Sequence, residues 1–507
     1  MMPTVYRGVF TTLIGLWLMS TAWSGVLLKN ASTSVQRNIA SPMQAPNVAI
    51  TPTSPRFRLT STVKHHVKVA VSSFKLVFQC VNVSGVPANC PAAYTINKIQ
   101  VYQTPGGSNA LVTWNGGNAR TIPVGAVDEG TDWINFPLSV GPVYFNMDVT
   151  VPSAGYVSGK FYLTSVLEGG SPEVSWACDP AACTNDVATG SPLTIPSGGV
   201  SAFPIRPSLI LGLVPASTVS ISGGVTSLSN GTADLTTSDG SIGGGMLRRG
   251  AWQGGWPIAT WATDGQNYTN MAGTIGTNVR RVFNQYTSVL WLDGPSNDVF
   301  AGSSLSSIRT NLTNNYWTPA RASGMKVIQA NVLQRVAAGS ADFYTTVGSQ
   351  SLSGVTGYDV GGVADQFNAG LSADVGVNIT AMADVRSVLS APSDNHFWAA
   401  APETTTLTAS ALSSATTFQT ATTLSLVSCP IFDPQNAAGQ RAGALRQIYL
   451  QSGSPPSITN TLFNTITVTQ NNGNTVVKTN SQDGTHPCGN AYTPLGAVYR
   501  NVTPSLP

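Results

Sequence analysis

Two apolar runs, Ser288-Val289-Leu290-Trp291-Leu292 and Lys326-Val327-Ile328-Gln329-Ala330-Asn331-Val332, read as buried strands. Between them, Ser304 to Arg321 carries apolar residues at helical spacing and stops before Gly324, as a helix would. Strands alternating with helices predict an α/β fold with a parallel sheet. Ligands of such sheets bind at the C-terminal ends of the strands. Asn297 follows one of those ends.

Upstream the pattern is different. From about 58 to 214 short strand-like runs recur between Gly/Pro/Asn turns. Examples are Phe74–Val81, Ile96–Tyr102, Val143–Val151 and Gly159–Thr164, with Ser208–Val214 as the last. Such spacing predicts an antiparallel β-sandwich serving as an accessory domain. Trp114 and Trp133 are either packing residues or a sugar-stacking face. Residues 25–57, rich in Ser, Pro, Asn and Ala without periodicity, read as a linker. Residues 403–478 are Thr-rich and β-like, as in Thr404–Thr408 and Asn464–Thr469, with Asn436 to Leu450 as a helical exception. They read as a β-rich insertion that splits the α/β domain into 215–402 and 479–507.

The chain has 507 residues, of which 9% are charged and 42% hydrophobic, with a net charge of +3. That is enough apolar material for two or three domains. No Lys/Arg run is present, so nucleic-acid binding has no electrostatic support. Arg7 precedes an uncharged apolar run that ends in Ala22-Trp23-Ser24, the pattern of a signal peptide over 1–24. The same run is long enough for an uncleaved anchor. With cleavage, the mature chain keeps no membrane span and is secreted, periplasmic or held at the cell surface.

Six cysteines in an exported chain predict disulfides. Spacing pairs Cys80 with Cys90 and Cys178 with Cys183, which leaves Cys429 for Cys488. No Cys-x-x-Cys occurs and the histidines do not cluster near cysteine pairs, so no metal site and no cofactor are expected.

The chemistry is carried by Asp483-Gly484-Thr485-His486-Pro487-Cys488 near the C-terminus. A carboxylate and an imidazole three residues apart on one turn can supply the orienter and general base of a hydrolase triad. The plain alternative is an Asx-type loop with an incidental histidine. Three further blocks precede it: Ser238-Asp239-Gly240-Ser241-Ile242-Gly243-Gly244, Asn270-Met271-Ala272-Gly273-Thr274, and Trp291-Leu292-Asp293-Gly294-Pro295-Ser296-Asn297-Asp298.

In this order, over about 215–507, the four blocks resemble those of the SGNH (GDSL-type) serine hydrolases. That family's pattern is Gly-Asp-Ser after the first strand, a glycine after the second, Gly-x-Asn-Asp after the third, and Asp-x-x-His near the end. The resemblance implies Ser241 as nucleophile, His486 as its base and Asp483 as the residue fixing the imidazole's tautomer. It also implies an oxyanion hole of the Ser241 and Gly273 N–H groups and the Asn297 amide. Ser217 is a rival nucleophile after the stronger apolar run 208–214. However, Ser241 to Gly273 spans about one strand–helix–strand unit of ~30 residues, and Ser217 to Gly273 nearly two. Two departures stand out: Asp239-Gly240 inverts the usual order, and Pro295 stands where a glycine is expected. The chain therefore reads as an exported esterase of O-acyl, first of all O-acetyl, esters, with a polysaccharide as candidate carrier. The alternative is a non-catalytic surface or carbohydrate-binding protein on a degraded hydrolase scaffold.

Overall fold

The computed structural model describes residues 34–158, 174–181, 187, 189–194, 199–230, 245–337, 347–399 and 491–503. Within 404–487 it describes shorter runs: 404–409, 417–422, 429–432, 448–455, 457–462, 475–479, 481 and 486–487.

The N-terminal half is a sandwich of two antiparallel sheets. The larger has Gly141–Thr150 at its centre, paired with Arg58–Val67 on one side and Tyr94–Tyr102 on the other. The smaller has Leu209–Pro215 between Ser34–Asn38 and Phe74–Phe78. Along Tyr94–Tyr102 the core-facing residues switch from Tyr94 and Ile96 to Ile99 and Val101. A bulge opposite Asp148/Val149 inserts one residue and so reverses the alternation. The run 159–164, read as a strand, lies outside the described residues. Trp114 is buried against Phe78, which makes it a packing residue, while Trp133 remains exposed. His65 and His66 lie in Arg58–Val67, and burial pushes them down to about 3 and about 4 respectively.

The stretch 25–57, expected as a linker, is structured from Ser34 onward. It contributes Ser34–Asn38 and Ala40–Ser41 to the two sandwich sheets and Met43–Gln44 to the α/β sheet. Its pairing partners are all remote in sequence, which is why its polar composition carried no strand signal.

The second half contains a parallel sheet of six strands: β1 (Met43–Gln44), β2 (Ile221–Gly223), β3 (Ile258–Thr260), β4 (Val289–Leu292), β5 (Lys326–Ala330) and β6 (Ala381–Ala383). The spatial order is β6-β5-β4-β2-β3-β1. Chain direction from β2 therefore reverses between β3 and β4, which puts a topological switch point at the C-terminal end of β2. The two runs that predicted the fold are β4 and β5. Leu290 and Leu292 enter one core and Val289 and Trp291 the other, so both faces are covered.

The helix expected between β4 and β5 runs through Leu305–Leu312, a π turn at Thr313–Trp317 and Thr318–Ala322. Helix α2 (Gly245–Gln253) crosses the C-terminal helix α3 (Tyr492–Val502) where Gly250 meets Gly496. A Cβ on Gly250 would lie 2.4 Å from the Gly496 carbonyl oxygen, so only glycine permits this approach. Sandwich and α/β halves share one hydrophobic core, in which Val63 and Phe145 belong to the same cluster as Trp261, Phe283 and Leu290.

The β-rich insertion forms two three-stranded sheets among the described residues. Ile448–Ser454 is a strand in one of them, so the end of the expected helix 436–450 is extended. The rest of that helix and the run 464–469 lie outside the described residues. Cys80 and Cys90 form a disulfide. Cys178 is also disulfide-bonded. Cys183 and Cys488, the expected partners of Cys178 and Cys429, lie outside the described residues. No helix among the described residues is long and apolar enough to cross a membrane.

Candidate active site

Strand β2 ends in Gly223-Gly224, with φ of +152° and +79°. A Cβ on Gly223 would sit 1.8 Å from the Trp291 carbonyl oxygen, so the chain can leave the sheet here only through glycine. The turn continues through Val225 and Thr226 to Ser227, the first residue of α1 (Ser227–Asn230).

This turn is held from the end of β4 by Asp293, whose side chain is fully buried. Its Oδ1 accepts from Val225 N at 3.1 Å and Tyr268 Oη at 3.0 Å. Its Oδ2 accepts from Thr226 N at 2.9 Å, Ser229 Oγ at 3.0 Å and the Thr226 hydroxyl. In the Gly-Asp-Ser order the aspartate sits next to the serine. Here Thr226 has that place, and a carboxylate from the third strand of the unit does the holding.

Ser227 Oγ lies 2.9 Å from Nε2 of His486. With the ring proton on Nδ1, the hydroxyl donates to Nε2, the geometry from which an imidazole can take the proton of an attacking serine. The His486 loop is closed by Ser481 Oγ donating to the His486 carbonyl at 2.8 Å and by a bridge between Ser481 and Pro487. Helix α3 begins shortly after it. Asp483, three residues before His486, lies outside the described residues.

Asn297, on the short helix Ser296–Phe300, lines the same cavity as Ser227. Its Nδ2 donates to the Gln266 carbonyl at 2.7 Å, and Gln266 Nε2 donates to the Val83 carbonyl of the sandwich at 2.6 Å. The sandwich loop braced by Cys80–Cys90 thus supports the side chain expected to face the oxyanion. Pro295 is accommodated as the N-cap of that helix, and Asp298 caps Tyr268–Met271 by accepting from Tyr268 N and Thr269 N. Burial pushes the Asp298 carboxyl up, against these bonds.

Of the other sequence candidates, Ser217 and Gly273 are placed elsewhere. Ser241, expected as nucleophile and oxyanion donor, lies outside the described residues, and the serine on His486 is Ser227. Ser217 is exposed in a turn after the sandwich strand Leu209–Pro215. Gly273 is the N-cap of Thr274–Gln285, well past the end of β3, and its N–H is spent on the Asn270 carbonyl at 3.3 Å. The glycine in the turn that follows β3 is Gly265, with φ of +72° and an N–H without a partner among the described residues. It directly precedes Gln266, on which Asn297 rests. The turn dipeptide Asp264-Gly265 just after the second strand is its signal in the sequence.

A second histidine constellation went unread in the sequence. His396 places Nδ1 2.5 Å from Asp394 Oδ1 and Nε2 2.6 Å from Asp365 Oδ2, and Asp365 also pairs with Arg386 at 2.8 Å. Both ring nitrogens face carboxylates, so neither can accept a serine proton. Among the described residues no group of His, Cys, Asp and Glu is arranged to hold a metal ion.

No family model matches the chain, and no curated protein matches it. Solved structures similar to it include a protein from Desulfitobacterium hafniense described as lipolytic and of the G-D-S-L family. It has 11% identity and a TM-score of 0.26, over 35% of this chain and 82% of that one. A family two carbohydrate esterase from Clostridium thermocellum, in complex with cellohexaose, matches at 10% identity and a TM-score of 0.24, over 66% and 86% of the two chains. A Corynascus carbohydrate esterase of the same family, with a carbohydrate-binding domain, matches at 10% identity and 0.24, over 66% and 88%. At these values the likeness carries no argument, and the chemistry rests on the site's own geometry.

Proposed function

We propose that the chain is an exported serine hydrolase of short O-acyl esters, built on a three-layer SGNH-like domain, with Ser227 as its nucleophile. The observation that carries this reading is the 2.9 Å contact between Ser227 Oγ and His486 Nε2. His486 takes the Ser227 proton as Oγ attacks the ester carbonyl, then delivers it to the leaving alcohol. Water repeats the sequence to release the acid. Asp483, three residues before the base, is the orienter of its second nitrogen.

The oxyanion forms beside the N–H of Ser227 and the amide of Asn297, each such donor being worth roughly 3 kcal/mol in a dry site. The Gly265 N–H takes the role first assigned to Gly273. Disulfide bonding at Cys80 and Cys178 supports an oxidising compartment, hence export. The non-catalytic alternative rested partly on the inverted Asp239-Gly240. That motive falls away when the turn before the nucleophile is the one held by Asp293. The test is hydrolysis of p-nitrophenyl acetate by wild type, Ser227→Ala and Ser241→Ala. Loss of activity in the first variant only supports the reading, and loss in the second only refutes it.

A further inference from the structure

The cavity beside Ser227 also contains Gln334 and Ser296. Gln334 is 1% exposed and Ser296 9%. Among the described residues neither Oε1 nor Nε2 of Gln334 has a hydrogen-bond partner, and neither does Ser296 Oγ. Among the buried side-chain amides of the described residues, Gln334 is the one with both ends unpartnered. A buried amide left in this state is costly, and proteins keep such groups where a ligand or an ordered water completes them. The cavity volume is about 10 Å³, room for one water-sized group. A methyl placed there would leave donor and acceptor stranded. A hydroxyl, which both donates and accepts, would satisfy them.

We infer that Gln334 and Ser296 are specificity residues that bind a hydroxyl of the substrate close to the scissile ester. The substrate is thus a hydroxylated ester, such as an acylated polyol or sugar, in preference to a plain alkyl or lipid ester. This inference rests on Ser227 being the nucleophile. A site built to hydrogen-bond a hydroxyl discriminates strongly against the analogue lacking it, because its own polar groups are then left unpaired.

The experiment compares kcat/KM for 1-O-acetylglycerol and propyl acetate, which share acyl group and carbon count and differ in two hydroxyls. Propyl glycolate, with its hydroxyl on the acyl side, distinguishes the two possible sources of the group. Wild type should prefer at least one hydroxylated ester by about tenfold or more. Gln334→Met, close in shape, should lower that preference about tenfold while leaving Tm equal or higher, since it removes an unsatisfied amide.

Equal rates on all three esters in active wild type would overturn the inference and leave the Ser227 reading intact. So would a preference that survives Gln334→Met, or a Tm that falls by several degrees in that variant, which would mark the amide as structural. Inactivity on all three esters, together with failure of Ser227 to react with a fluorophosphonate, would remove both readings.

Discussion

The replacement Asp293→Asn tests how the nucleophile turn is held. The carboxylate accepts five hydrogen bonds, two on Oδ1 and three on Oδ2. The less costly orientation of an asparagine keeps its oxygen at the Oδ2 position and puts its NH2 where Oδ1 was. Tyr268 then still has the Asp293 backbone carbonyl, to which it donates at 2.6 Å. Val225 N–H loses its acceptor and faces a donor instead. One stranded buried donor costs about 1–3 kcal/mol, and three bonds that lose their charge assistance cost about 1 kcal/mol each. The expected loss is therefore about 4–6 kcal/mol of folding stability. It is read as a lower urea midpoint by tryptophan fluorescence. The turn also aims Ser227, so kcat should fall by about 10²-fold or more in the protein that remains folded. A variant with wild-type midpoint and wild-type kcat would refute the claim that Asp293 organises the turn.

Three further outcomes are expected. Asn297→Ala should lower kcat by about 10²-fold with little change in KM, as for an interaction made only in the transition state; a raised KM at constant kcat would assign Asn297 to ground-state binding. Gly496→Ala puts a Cβ 2.5 Å from Gly250 N, so it should cost about 1–3 kcal/mol by denaturation and lower activity through the adjoining His486 loop. The third concerns His396, for which burial lowers the pKa but the bonds to Asp365 and Asp394 outweigh it and raise it above 6.5. Asp365, despite burial, and Asp394, chiefly through the His396 N–H, are held below 3.8. Arg386, also beside them, opposes the charged imidazole at every pH in this range. The histidine's contribution is complete below 6.5 and is lost as pH rises through its folded value; the carboxyls' contribution is complete above 3.8 and is lost on acidification. The Tm difference between wild type and His396→Gln should therefore peak near pH 5 and shrink towards pH 8; a flat difference would count against the clamp.

Strands β4 and β5 were legible because both of their faces pack on cores, which demands continuous apolar residues. The sandwich was legible from its short alternating strands. The central strand β2 was not, because its polar residues are satisfied by hydrogen bonds and no apolar run results. Ser220 Oγ donates to the Asn38 carbonyl, and Ser222 bonds Asn284 and Thr287. The stronger run 208–214 lies next to it in sequence but belongs to the sandwich. With β2 hidden in this way, the serine that follows it carries no signal, and the spacing rule points to Ser241 instead. His486 and Asn297 stand out in the sequence because each sits in a short motif whose meaning is local, and the structure places one against Ser227 and the other on the same cavity. The role of Asp293 is a tertiary one, visible only when the ends of β2 and β4 are side by side.

Everything proposed for the site depends on Ser227 being the nucleophile activated by His486. Labelling the purified protein with a fluorophosphonate and mapping the adduct by peptide mass spectrometry tests it most directly. A single adduct is expected on the peptide containing Ser227, absent in Ser227→Ala and strongly slowed in His486→Ala, with Ser241→Ala labelled like wild type. An adduct on Ser241, or labelling of Ser227 that does not depend on His486, would contradict it.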